Sequence, residues 1–211
     1  MKNTYPQGDI ELLAMFAGGN VDSKRASTIL STISDINAPI LDLNGYSTTY
    51  LYEAQRSCSV DAVRLLLQMG ADPNYSNLNL ISSCALWDLQ YADPETYGAG
   101  AYKAKYEIAK LFFAFGANPN ISVEGETLFD FITFKVYDGE YRGQELRFLV
   151  DLYKLLIFYG GGGSCYPKPE LTEAIDMGRI DDYTVELLLC DDGYHITGYL
   201  LNPEGISIGH L

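Results

Sequence analysis

The sequence has few histidines and tryptophans and is short of basic residues. Its 211 residues include two histidines, one tryptophan and 14 lysines and arginines against 28 aspartates and glutamates, so the formal net charge is −14. Phosphate backbones and anionic lipids repel such a chain, which argues against nucleic acid and membrane surfaces as partners and favours a basic protein. No apolar stretch approaches the roughly 20 residues that span a bilayer.

Cysteine is also sparse, and the four cysteines form no C-x-x-C pair. This spacing favours buried thiols in a reducing compartment over a disulfide framework or a zinc site. The first residues have no apolar segment of the signal-peptide kind, so we expect a cytoplasmic protein. The cysteines are Cys58, Cys84, Cys165 and Cys190.

No catalytic constellation is visible. The histidines, His195 and His210, have no nucleophile motif beside them. The glycine run at 160–163 lacks the Lys-Ser/Thr of a phosphate-binding loop. Paired aspartates at 181–182 and 191–192 flank a predicted last helix at opposite ends, so they do not converge on one ion. We therefore expect no enzyme activity, no cofactor and no metal.

One pattern recurs three times along the chain. Apolar residues at helical spacing over 62–69, 108–115 and 152–159 each end at a glycine, and these glycines are 46 and 44 residues apart. Glycine at such a place stops a helix in a left-handed turn. The first two copies continue as Asp-Pro-Asn and Asn-Pro-Asn, which favour a tight turn.

Shorter helices accompany these copies. We predict a first helix at 49–56, a helix pair at 10–16 and 26–33 with a degenerate turn at 35–38, and another repeat start at 127–131. A final unit is predicted from 171–174 and from the apolar run at 186–189, taken as a helix. Units of two helices and a turn, each needing its neighbour to bury its apolar side, make a helical solenoid.

The run from Thr49 to Asn74 resembles an ankyrin repeat. It departs from the family where that family usually has Pro and His (Tyr50, Tyr52) and a Gly between the helices (Cys58). The resemblance implies an all-α, ankyrin-type helical solenoid of about five helix-turn-helix repeats with atypical capping repeats, forming one domain over 1–211. The approximate units are 1–43, 44–77, 78–122, 123–166 and 167–211. Residues that fall on the family pattern are Thr49, Leu51, Ala54, Ala62, Val63, Leu65, Leu66, Leu67, Gly70, Ala71, Asp72 and Asn74.

Two insertions distinguish this chain from a family repeat, one at 90–102 and one at 135–144. Equivalent loops of stacked repeats project from one rim, and tyrosines with carboxylates suit contact with a basic protein. The candidate partner-binding residues are Tyr91, Asp93, Glu95, Tyr97, Tyr102, Tyr137, Asp138, Glu140 and Tyr141. Two alternatives stay open: tolerated surface insertions with no role, or binding on the concave side through first helices and turn tips such as 75–77 and 123–125.

The resemblance implies a non-enzymatic protein–protein interaction module. Charge makes a basic protein the expected partner, and the most specific form is a bacterial immunity or inhibitor protein that masks a toxin. The alternative is a regulatory or host-directed ankyrin scaffold or effector. The sequence does not fix the oligomeric state.

Overall fold

Turn and cap residues, more than the apolar runs alone, decide where each helix begins and ends in this chain. A computed structural model describes residues 7–19, 21–42, 44–75, 84–91, 98, 100–123, 125–138, 143–161, 184–189 and 196–201. The described part is mostly helical, as predicted, with seven α-helices and three short two-stranded hairpins that the all-α prediction left out. None of its helices has both the length and the apolar character needed to cross a bilayer.

The chain divides into two compact units, residues 1–117 and 118–211. In the first unit, helices of successive predicted repeats pack in pairs, α1 on α3, α2 on α4 and α4 on α5. Leu12, Phe16, Leu66 and Phe112 are fully buried there. Its described elements are α1 (Gln7–Ala17), α2 (Ser23–Leu30), β1 (Ile40–Leu41), β2 (Ser47–Thr48), α3 (Tyr50–Arg56), α4 (Val60–Gln68), a 3₁₀ turn (Trp87–Gln90) and α5 (Ala101–Ala114).

The second unit contains two longer helices, α6 (Leu128–Asp138) and α7 (Gly143–Phe158), that pack on each other. A hairpin of β3 (Ser122–Val123) and β4 (Glu126–Thr127) leads into α6. The Phe129 and Tyr153 rings stack between the two helices with centroids 4.6 Å apart. A helix begins here as predicted, because the Thr127 hydroxyl oxygen accepts a hydrogen bond from the Asp130 amide at 3.1 Å and caps α6. That this helix opens a further repeat stays a prediction.

The three predicted turn glycines are confirmed. Gly70, Gly116 and Gly160 have φ values of 95°, 86° and 84°, the left-handed region that favours glycine. Each amide bonds back to the carbonyl three residues earlier, and the next amide to the carbonyl five residues earlier. The three helices therefore end in the same closing geometry.

The turns that follow are also alike, including the degenerate one. The amides of Asn37, Asn74 and Asn120 each bond to the side-chain oxygen two residues earlier, at 2.9, 2.8 and 3.0 Å. Side chains then join each turn to the next turn along the chain: Asn37 Oδ1 accepts from the Asp72 amide at 2.8 Å. The Asn74 and Asn120 amide groups donate to the carbonyls of Gly116 and Gly160, both at 3.0 Å.

The helix predicted at 186–189 is wrong, because these residues lie in a strand. Strand β5 (Thr184–Leu189) pairs antiparallel with β6 (Ile196–Leu201), Val185 opposite Leu200 and Leu187 opposite Gly198. The intervening sequence contains Asp192-Gly193, a strong hairpin signal, and Thr184-Val185 adds β propensity. The paired aspartates at 181–182 and 191–192 therefore flank a strand where a helix was expected.

The second insertion is shorter than predicted. Helix α6 continues through residues 135–138, and α7 already begins at Gly143, so 139–142 alone separate the helices. The sequence has no helix breaker before Gly139. The Lys135 ammonium lies over the Phe131 ring one turn earlier, 5.5 Å from its centroid, which supports the extra turn.

Candidate functional site

A polar face is built where the β1–β2 hairpin meets α3. Asp42 organises the hairpin turn: its Oδ1 accepts the amides of Asn44 and Tyr46, both at 2.8 Å, and Gly45 takes φ 87°. The turn leaves the Tyr46 ring 57% exposed while the Asp42 side chain is buried, with 6% of the residue exposed. An aspartate at the first position of a tight turn thus fixes where an exposed tyrosine stands.

Helix α3 supplies the other side of this face. The Thr49 hydroxyl oxygen caps the helix by accepting from the Tyr52 amide at 3.2 Å. Glu53 is buried, with one carboxylate oxygen accepting from the Thr48 hydroxyl at 2.9 Å and the other from Arg56 Nη2 at 2.9 Å. The Glu53 charge is thereby balanced by a guanidinium one turn later.

Hairpin and helix enclose an open pocket of about 380 Å³. Its walls combine aromatic surface with two carboxylates and one guanidinium. The lining includes Asp42, Tyr46 and Thr48 from the hairpin and Tyr52, Glu53 and Arg56 from α3.

Tyr52 also connects this pocket to the start of the first insertion. Its hydroxyl donates to Asp88 Oδ2 in the 3₁₀ turn, and burial raises the pKa of the Tyr52 hydroxyl well above its usual range, so it stays a donor. The Tyr91 amide in turn donates to the Asp88 carbonyl at 3.1 Å. The start of the first insertion is therefore connected to Tyr52, whose side chain lines the pocket.

A buried lysine lies behind this connection. Lys105 on α5 is 2% exposed, and burial lowers the pKa of its ammonium from 10.5 to about 8. The nearby groups act in opposite directions: Cys58 and Asp88 raise the Lys105 pKa, and Arg56 lowers it. Burial raises the pKa of Asp88, while its bond with Tyr52 and the Lys105 charge lower it. Charges from α3, the 3₁₀ turn and α5 are thus coupled.

Residues 48–78 match the family model of the ankyrin repeat. This segment is an ankyrin repeat. It begins on β2 and covers α3, α4 and the turn that follows Gly70. Thr48, Tyr52 and the other helix residues of the pocket therefore belong to the ankyrin repeat, whereas Asp42 and Tyr46 come just before it. No curated protein shows significant similarity to the chain.

Ankyrin repeats as a class mediate binding of protein partners. The departures of this ankyrin repeat from its family pattern have structural counterparts. Tyr50, where the family usually has Pro, donates to Asp9 Oδ1 of α1 at 2.5 Å. Tyr52 replaces the usual His and reaches Asp88. Cys58, where a Gly is usual, takes φ 54°.

Four of the predicted partner-binding residues have a described backbone. Tyr91 is 54% exposed directly after the 3₁₀ turn, and Tyr102 is half-buried in the first turn of α5. Tyr137 and Asp138 end α6, which places them on a helix and not in a loop. Tyr91 is connected to the ankyrin repeat through Asp88, whose carboxylate accepts from the Tyr52 hydroxyl, and Tyr102 lies on α5, which packs on α4.

Other predicted positions lie outside the described residues, and their roles stay predictions. These are Asp93, Glu95, Tyr97, Glu140, Tyr141, Cys165, Cys190, His195 and His210.

The pocket residues were missed by sequence reasoning, although signals for them exist. Asp42-Leu43-Asn44-Gly45 is a turn sequence directly before the ankyrin repeat, and it predicts that Tyr46 follows a tight turn. The contact between Tyr52 and Asp88 spans 36 positions and has no local signal. A tyrosine in place of the usual family residue was the available hint.

Proposed function

We propose that the chain is a non-enzymatic module that binds a basic protein in a reducing, cytoplasmic compartment. The face that engages the partner is the β1–β2 hairpin, α3 and Tyr91. One observation carries this proposal: the pocket is lined largely by the ankyrin repeat, and the exposed Tyr46 forms part of its wall. Exposed tyrosines supply large contact area at low entropic cost.

Charge supports a basic partner. Residues 65–102, which include the end of α4 and the first insertion, contain four carboxylates and no lysine or arginine. Residues 180–211 likewise have no lysine or arginine. Carboxylates on one partner steer and register basic residues on the other. The described cysteines, Cys58 and Cys84, are free thiols, in keeping with a reducing compartment.

The most specific form of this proposal is an immunity or inhibitor protein that masks the active site of a basic toxin such as a nuclease. The net charge of −14 favours it. The alternative is a regulatory or host-directed scaffold or effector, favoured by the matched ankyrin repeat itself.

The test begins with the protein that co-purifies from the native cell, made separately in pure form. Its affinity is measured for the full chain and for Tyr46→Ala, Tyr91→Ala and Phe158→Ala. We expect losses on the order of tenfold for the two tyrosine variants. Phe158 is a matched control, an aromatic residue of the second unit that is 71% exposed, and its variant should bind normally. Unchanged affinity in both tyrosine variants contradicts the proposed face.

The predicted rim is tested in the same assay with Tyr97→Ala and Tyr141→Ala. Weaker binding by both extends the interface to the insertions, and unchanged binding confines it to the hairpin and α3. A steep fall in association rate between low and physiological salt supports steering of a basic partner. A partner with an acidic surface and salt-independent association contradicts it.

Activity of the partner separates the two forms of the proposal. An immunity protein abolishes the enzymatic activity of its toxin at equal molar amounts. A scaffold binds its partner and leaves that activity in place.

A further inference from the structure

The pocket between the β1–β2 hairpin and α3 carries one uncompensated negative charge. Its two carboxylates are Asp42 and Glu53, and its one cation is Arg56. Arg56 is already engaged, since both Nε and Nη2 lie on Glu53 Oε2 at 3.2 and 2.9 Å. No lysine or arginine in the described part of the chain pairs with Asp42.

The Asp42 side chain is buried and only partly satisfied. Oδ1 holds the two turn amides, but Oδ2 has a single long contact, 3.5 Å from Asn44 Nδ2. Although the residue is only 6% exposed, it lines the pocket. A buried carboxylate without a counter-charge is costly, so this arrangement favours a cation that enters from the pocket.

The remaining walls suit the same ligand. Tyr46 and Tyr52 both line the pocket, one on the hairpin and one on the helix. Aromatic faces attract ammonium and guanidinium groups and pack against the aliphatic part of the side chain that carries them.

We propose that this pocket receives one arginine or lysine side chain of the protein partner, with Asp42 as the counter-ion and Tyr46 and Tyr52 as aromatic walls. This inference rests on the proposed function, because it assumes a basic protein partner. It adds the chemistry of a single contact: one cationic side chain is seated in the pocket, and a neutral or acidic side chain at the same place is rejected.

The experiment uses small probes with the full chain. N-acetylarginine amide, N-acetyllysine amide and N-acetylnorleucine amide are each titrated, with binding followed by the backbone amide signals of Tyr46, Thr48 and Tyr52. The norleucine probe has an aliphatic side chain and no charge. We expect saturable shifts with the two cationic probes and at least roughly tenfold weaker effects with norleucine.

Two variants of equal charge make the test specific. Asp42→Asn keeps the Oδ1 acceptor for the turn amides and should weaken the arginine probe by roughly tenfold. Asp61→Asn removes an exposed carboxylate of α4 outside the pocket and should leave binding unchanged. The proposal for the pocket is overturned if the norleucine probe shifts the signals as much as the cationic probes do. It is also overturned if Asp42→Asn and Asp61→Asn bind the arginine probe equally well.

Failure of the pocket proposal can be distinguished from failure of the proposed function. Probe binding that depends on Asp42, together with a partner protein that ignores Tyr46 and Tyr91, keeps the pocket and rejects the proposed face. A basic partner that binds through Tyr46 while no cationic probe binds rejects the pocket alone.

Discussion

Helices α3 and α6 begin in the same way and present different surfaces. Both follow a two-stranded hairpin and a threonine cap, Thr49 or Thr127. Three residues after the cap, Tyr52 of α3 reaches Asp88 in another element, whereas Asp130 of α6 turns back to the hydroxyl of its own cap at 2.8 Å. The shared cap sets the helix start, and the residue three positions later links α3 to the 3₁₀ turn and, in α6, forms a reciprocal bond with the cap.

The difference continues along both helices and into the hairpins. Where α3 has the Glu53–Arg56 pair, α6 has Phe131 and Phe134. The connection between β1 and β2 runs from 42 to 46, while β3 and β4 are joined by 124 and 125 alone. The longer connection places Asp42 and Tyr46 over α3. A common frame therefore carries a polar pocket in one unit and an aromatic helix surface in the other.

The largest expected contrast is between Asp88→Asn and Asp130→Asn. Each variant keeps an acceptor oxygen and removes only the charge. Asp88→Asn takes a counter-charge from the buried Lys105 and should destabilise the protein by on the order of 2 kcal/mol. Asp130→Asn still accepts from Thr127 and should cost less than about 1 kcal/mol.

Urea unfolding followed by far-UV circular dichroism measures both variants, and amide hydrogen exchange in α3 and α6 assigns the loss to each helix. Trp87, the one tryptophan of the sequence, adds a fluorescence signal next to Asp88. Equal losses in the two variants would mean that the charge of Asp88 matters no more to stability than that of Asp130, and the comparison would fail.

The second prediction concerns pH and the buried Lys105. Its pKa in the folded protein is about 8, below the usual 10.5. The unfolded chain therefore holds more protons above pH 8, and this group makes stability rise with pH from about 8 towards 10. Raised pKa values of Cys58 and Tyr52 act in the opposite sense at higher pH. The comparison of wild type with Lys105→Met isolates the lysine.

We expect the unfolding free energy of wild type, relative to Lys105→Met, to increase by on the order of 1–2 kcal/mol across that range. Lys110→Met is the control, because Lys110 lies on the same helix in an exposed ion pair with Glu107. A parallel pH profile for wild type and Lys105→Met would show that the lysine does not titrate in this window.

Local chemistry explains what could be predicted from the sequence. Gly70, Gly116 and Gly160 each follow an apolar helix and precede turn residues, so both the helix end and its geometry were readable. The run at 186–189 misled because a short apolar segment suits a helix or a strand, and pairing with 196–201 decides between them.

The candidate site was harder to predict from the sequence, because it too depends on contacts between segments that are far apart along the chain. The pocket needs Asp42 and Tyr46 from one element beside Tyr52 from another, and Tyr52 needs Asp88 across 36 positions. Periodicity reports which face of a helix is apolar, but it carries no information on which polar side chains meet across elements. Surface tyrosines in the insertions were therefore easier to propose than the pocket itself.

The smallest expected effect tests the side-chain bond between successive turns, which both units contain. Asn74 and Asn120 each donate to a glycine carbonyl of the next turn at 3.0 Å, one in each unit. Alanine at either position keeps the backbone bond of the turn and removes the side-chain donor of this link, so each variant should lose about 0.5–1 kcal/mol in unfolding free energy. Aspartate is the matched control, since it keeps the shape but cannot donate to the carbonyl. Because the two bonds are equivalent, the two losses should agree closely. A loss at Asn74 several times that at Asn120 would mean that the bonds between turns, and not only the helix surfaces, differ between the two units.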